Sequence, residues 1–183
     1  MKHAWLVLAL LLPAAPAFAD GEAKPVGEVT GDLNGDGAPD KARLVAHDDD
    51  VDLEIFLAAG GKLPETPTVT VAQLGWMGAM AGQEPTIAID KRGSLIVTFR
   101  NDSIGRDRWN EQYTIAWRQG ALMVAGYDYQ YRDTLDLKHI GVCSVNFLAG
   151  KGTRNDKPFS LAAGGIPLAK WTKDMLPKQC QFD

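Results

Sequence analysis

The chain carries 23 acidic and 19 basic side chains over 183 residues, a net charge of −4 at neutral pH. Nucleic-acid binding needs a basic footprint and docking on anionic lipid needs a polybasic segment, so this mild acidity argues against both. Residues 1–19 read as a secretory signal, with Lys2 ahead of the apolar Ala4–Leu12, prolines at 13 and 16, and the small-x-small site Ala17-Phe18-Ala19. The apolar run is too short for a bilayer span, so cleavage is expected to leave no stable membrane anchor. Residues 20–183 then form one mostly-β domain, periplasmic or secreted.

The run Asp32-Leu33-Asn34-Gly35-Asp36-Gly37-Ala38-Pro39-Asp40 gathers oxygen donors around a tight turn. A hard cation such as Ca²⁺ takes roughly six to eight oxygen ligands, and packing carboxylates this densely is reasonable chiefly around a cation. The candidate ligands are Asp32, Asn34, Asp36, Asp40 and the Ala38 carbonyl, with glycines 35 and 37 allowing the turn. An EF-hand is excluded, because its twelfth position demands a bidentate glutamate and here holds Arg43. The alternative is an Asp/Gly-rich turn with solvated carboxylates.

Gly31 through Asp40, followed by the strand-like Lys41–Ala46, resembles the calcium loop of the integrin-type FG-GAP repeat. The resemblance covers about residues 27–60 and implies the same five ligands with a structural role for calcium. That family builds propellers from several repeats; the single copy here implies one FG-GAP-like hairpin inside a smaller β domain. Gly105-Arg106-Asp107-Arg108-Trp109, leading into Tyr113-Thr114-Ile115, also resembles the second half of uncharacterised exported bacterial proteins that begin with such a loop.

Strand signals dominate the rest. Val51–Leu57 alternates, placing Val51, Leu53, Ile55 and Leu57 on one face. Thr68–Val71, Thr86–Ile89, Ser94–Arg100, Tyr113–Arg118, Leu122–Tyr127 and Ser144–Leu148 are further strand candidates, with hairpin connections at Lys91-Arg92-Gly93 and Gln119-Gly120. The pattern predicts an antiparallel meander over about 68–150, with short helical turns at Gly75–Ala81 and Pro167–Leu176. Cys143 and Cys180 are the only cysteines; in an oxidising compartment they most simply pair and tie down the C-terminal segment, two free buried thiols being the alternative.

Other constellations carry weaker signals. Asp48-Asp49-Asp50 with Asp52 and Glu54 is a second acidic cluster, though consecutive side chains point apart. Tyr127, Tyr129 and Tyr131 share one strand face, for ligand contact or cross-strand packing. Met77 and Met80 lack the histidine or cysteine a copper(I) site would add. Arg106–Trp109 reads as a charged recognition loop. No nucleophile elbow, zinc-protease motif or phosphate loop occurs, and Glu84, Glu111 and Asp128 are the acids available for a glycosidase pair. The reading is an exported, calcium-binding, non-enzymatic interaction domain with a protein or glycan partner in the cell envelope. The alternatives are an envelope or extracellular polymer hydrolase with structural calcium, and an inhibitor of a periplasmic enzyme that inserts a loop such as Ser103–Trp109.

Overall fold

A computed structural model describes residues 24–182; the signal segment 1–19 lies outside them. The protein is mostly β, and every strand pair is antiparallel. The smaller sheet runs β1 (Lys24–Gly31), β2 (Asp40–His47), β3 (Asp50–Phe56) and β4 (Val69–Trp76) in sequence order. The larger sheet runs β5 (Thr86–Ile89), β6 (Leu95–Asn101), β7 (Asp107–Arg118), β8 (Ala121–Asp133), β9 (Ile140–Asn146), β10 (Lys151–Arg154) and β11 (Lys157–Ser160), likewise in sequence order. β12 (Ile166–Pro167) adds to β8 beyond the end of β9.

The two sheets pack face to face because each offers an alternating apolar row. Ala42, Leu44, Val51, Leu53 and Ile55 from the smaller sheet share one core with Leu95, Val97, Phe99, Tyr113, Ile115, Val124, Tyr127 and Val145 from the larger. Close approach requires missing side chains at the seams. Gly27 and Gly31 of β1 leave room for Ile87 and Ile89 of β5, and Gly75 of β4 lies against the Phe99 ring.

Beyond β11 the chain folds back over the core. Leu168 is buried in a 3-10 turn over Leu168–Lys170, and Trp171 sits edge-on between Tyr113 and Phe147, with both centroid distances 5.8 Å. Cys180 closes a disulfide with Cys143 on β9, and Phe182 covers Tyr129 and Tyr131. A core that two sheets leave open on one flank is thus sealed by a covalently tethered strap.

Several boundaries differ from the sequence pattern. Gly75–Ala81 is not helical: β4 runs through Trp76 and turns follow. Pro167–Leu176 does hold short helical turns, at Leu168–Lys170 and Lys173–Met175. β7 begins at Asp107 rather than Tyr113, so the segment expected as a loop is largely strand. Ser144–Leu148 is the tail of β9 plus a turn. The β10–β11 hairpin follows the stop expected at Gly150–Gly152; its turn, Asn155-Asp156, has positive φ at both residues, the geometry a two-residue hairpin needs.

A cross-link over 37 residues contributes about 4 kcal/mol in the chain-entropy account. The Cys143→Ala/Cys180→Ala double variant should therefore lose about 2–5 kcal/mol in denaturant titration, and reductant should destabilise only the wild type.

Candidate functional site

The 32–40 turn joins β1 to β2 and is organised by its own acidic side chains. The Asp32 carboxylate accepts the Gly35 and Gly37 amides at 2.6 and 2.9 Å. Asn34 Oδ1 accepts the Asp36 amide at 2.9 Å, and Asp36 Oδ1 accepts the Ala38 amide at 2.8 Å. The Gly37 amide, ahead of its neighbours, holds the Asp32 carboxyl below the usual carboxylate range. Asp40 differs from the others: it has no exposed surface, and its two oxygens accept the Leu33 amide at 2.9 Å and the Ala58 amide at 2.7 Å. One carboxylate therefore pins the turn to the connection that leaves β3.

The donor types, carboxylate, amide and carbonyl oxygens, are those a hard cation takes. Asp32, Asn34, Asp36, Asp40 and the Ala38 carbonyl occupy one short turn, and each carboxylate oxygen has a second acceptor site beyond its amide. Asp40 is also a buried carboxylate with no Lys or Arg ion pair among the described residues, and a buried charge calls for compensation. Among the described residues no three carboxylate, imidazole or thiol groups converge as a ready-made metal cage. In this arrangement the side chains are turned onto backbone amides.

The remaining sequence candidates are mostly absorbed by the fold. Asp52 accepts the Gln73 amide, Glu54 pairs with Arg43 at 2.6 Å, and Asp50 accepts the Gln73 side-chain amide, so the second acidic cluster braces β2–β4. The tyrosines do share a face, but Tyr127 packs on Tyr113 while Phe182 covers the other two. Burial pushes the Tyr129 hydroxyl up to about 12. Met77 packs against the core and Met80 is exposed. The three acids do not meet. Glu84 is exposed and binds the Gly82 amide, Asp128 lies on the outer face of β8, and Glu111 is buried between the sheets. There Glu111 accepts the Tyr113 and Tyr127 hydroxyls at 2.8 and 3.1 Å, with Lys173 of the strap at 3.8 Å. Burial, then the adjacent carboxylate, raises both hydroxyls well above the ordinary phenol range.

A second site lies at the opposite end of the strands, where β4 ends and β7 begins. Three connections meet there: residues 77–85, 102–106 and 134–139. The Gln83 side-chain amide donates to Asn101 at 3.0 Å, and Asn101 in turn donates to the Ile104 and Asp107 carbonyls. Arg106 pairs with buried Asp133 at 2.5 Å, Thr134 bonds the Arg106 carbonyl, and Asp133 also accepts the Leu135 and Asp136 amides. On this locked frame Leu135 and Leu137 are each 80% exposed, with Ile104 also exposed. At the same end of the strands Trp76 and Trp109, with ring centroids 5.8 Å apart, line an open cavity of about 410 Å³ with Asn101, Ile104, Arg106 and Asp107. Set against known protein families, curated proteins and solved structures, the chain matches none.

Arg106 and Trp109 stand out in the sequence, but the residues around them do not. Leu135 and Leu137 resemble any apolar pair in a polar segment, and nothing local marks Asp133 as the residue that ties two loops together.

Asp133 gives this end a pH dependence. The Arg106 hydrogen bond, followed by the Leu135 amide, holds its carboxyl far below the ordinary value. A depressed carboxylate stabilises the fold above its unfolded value of about 4 and loses that contribution as pH falls further. Proteolysis of the 134–139 loop should therefore be slow at neutral pH and accelerate as pH drops below about 4. Asp133→Asn should cleave rapidly already at pH 7.

Proposed function

We propose that this chain is an exported, non-enzymatic binding module in which calcium braces the 32–40 turn and the opposite loop cluster engages a partner of the cell envelope. The observation that carries the reading is the locked display of Leu135 and Leu137. Loops this heavily hydrogen-bonded lose little further ordering entropy on association; the leucines add apolar contact area, and Trp76, Trp109 and Arg106 are of the residue types that dominate interface hot spots. The Trp76–Trp109 cavity would take an apolar or aromatic group of a protein partner, or the flat face of a sugar.

Export is supported by the signal-like residues 1–19 and by the disulfide. Among the described residues no helix is long and apolar enough to cross a membrane. Calcium would be held by Asp32, Asn34, Asp36, Asp40 and the Ala38 carbonyl, following the FG-GAP-like spacing. When bound it supplies a fixed positive charge beside the buried Asp40 carboxylate. The protein's own contribution is to hold the turn, through its amide network, at the junction of β1, β2 and the β3–β4 connection. The hydrolase reading draws no support from Glu84, Glu111 and Asp128, which face three different environments. Enzyme inhibition remains the second reading, favoured by the projection of 102–106 and 134–139 from one end.

Exposed Leu135 and Leu137 contribute little to folding, so Leu135→Ser/Leu137→Ser should change stability by no more than about 0.5 kcal/mol. The same variant should lose at least about tenfold in partner retention from envelope extract relative to wild type, worth roughly 1.4 kcal/mol. Equal retention by both proteins would remove the docking claim.

Asp36→Ala tests the brace separately. With calcium at about a hundredfold over its dissociation constant, linkage supplies about 2.7 kcal/mol, or roughly 5–10 °C of melting temperature. The variant should lose that increment in calcium and melt close to wild type in chelator. Equal losses under both conditions would assign Asp36 to the turn alone.

A further inference from the structure

The outer face of the larger sheet, away from the shared core, carries a cationic arrangement that the docking end does not explain. In the β7–β8 register Arg108 stands directly opposite Arg132, and Asn110 directly opposite Gln130. On the next strand Arg100 stands opposite Asn110, so the three guanidiniums and two side-chain amides occupy neighbouring places on one face. Like charges directly opposite on paired strands destabilise a sheet. Most sheets avoid such a pair or place a carboxylate between its members.

Here the repulsion is left standing. Among the described residues neither Arg108 nor Arg132 forms an ion pair. Arg108 spends one donor on the Gly105 carbonyl at 2.6 Å, which fixes its side chain and leaves most of its donors free. Arg100 has its Nε shut away from solvent without a hydrogen-bond partner. Between Arg108 and Arg132 lies a cavity of about 230 Å³, lined also by Asn110 and Gln130 and rimmed on its β9 side by Ile140 and Val142; Arg100 stands outside it. Both rim residues are about half exposed, at 55% and 48%. Asp102 is the one carboxylate at its edge.

We infer that this cavity binds a small organic anion, its carboxylate or phosphate held by Arg108 and Arg132 and its apolar body resting on Ile140 and Val142. Guanidinium forks match the oxygens of carboxylate and phosphate and bind them with two parallel hydrogen bonds. An anion between the two arginines converts their repulsion into attraction, and the Asn110 and Gln130 amides supply further donors. The exposed aliphatic rim distinguishes this cavity from a site for bare inorganic anions.

Two probes separate the oxyanion from its apolar body: octanoate carries both, inorganic phosphate only the first. Titration followed by NMR of the arginine Nε–Hε and side-chain amide signals should show saturable shifts at Arg108, Arg132, Asn110 and Gln130. Octanoate should bind more tightly than phosphate. Arg108→Gln and Arg132→Gln should each weaken binding about tenfold, while Arg118→Gln, on the same face near the far end of β7, should not. Without ligand, Arg132→Gln should melt at or above the wild-type temperature, because it relieves the cross-strand repulsion. The proposal is overturned if neither probe saturates these signals at tens of millimolar, if phosphate binds as tightly as octanoate, or if the Arg108→Gln and Arg132→Gln variants bind as wild type. None of these readouts involves Leu135 or Leu137, so the docking proposal stands or falls separately.

Discussion

Asp40 is a carboxylate with no exposed surface, and two backbone amides hold it where β2 begins. Charge-assisted bonds of this kind are about twice as strong as neutral ones, and removing the acceptor would leave two buried donors unmatched. Through Leu33 it sets the path of the turn from β1, and through Ala58 it sets where β3 releases the chain. The smaller sheet inherits its geometry from that point. β1 is delivered against β5 at the glycine seams, and Gly75 on β4 meets Phe99 across the core. A cation at the turn would act on the same junction.

The strands carry this constraint to the far end. β2 and β7 each run from one end of the molecule to the other, the first from Asp40 to His47 and the second from Arg118 back to Asp107. The brace and the display of Leu135 and Leu137 therefore occupy opposite ends. Under the proposed reading calcium would stabilise the scaffold and leave the docking end to its own locks, chiefly Asn101 and Asp133. A loose brace would lower overall stability while leaving the local hydrogen bonds around Leu135 intact.

Much of the β architecture was legible because alternation survives wherever one strand face is apolar. Of Val51, Leu53, Ile55 and Leu57, expected on one face, the first three are fully buried, and Leu57, just past the end of β3, is half-buried against the core. The turns at Lys91–Gly93 and Gln119-Gly120 were readable from their glycines, and the Cys143–Cys180 pair from compartment and count. The pattern failed where a buried face is polar. The start of β7 is hidden because Glu111, flanked by Asn110 and Gln112, looks solvated in sequence; the hydroxyls of Tyr113 and Tyr127, with Lys173 at 3.8 Å, make its burial tolerable. The β10–β11 hairpin is hidden because Gly150 and Gly152 read as a stop, whereas Gly152 lies under the Phe159 ring. The loop cluster was illegible for a different reason. Gln83, Asn101, Arg106 and Asp133 are far apart in sequence, and no local rule brings them together.

The central claim is that the 32–40 turn is a calcium brace, and calorimetric titration of residues 20–183 with Ca²⁺, joined to melts in calcium and in chelator, tests it most directly. The account predicts one equivalent bound and a melting temperature raised by calcium. Absence of heat and of any shift in melting temperature at millimolar calcium would contradict it, leaving Asp32–Asp40 as a turn held by its amides alone.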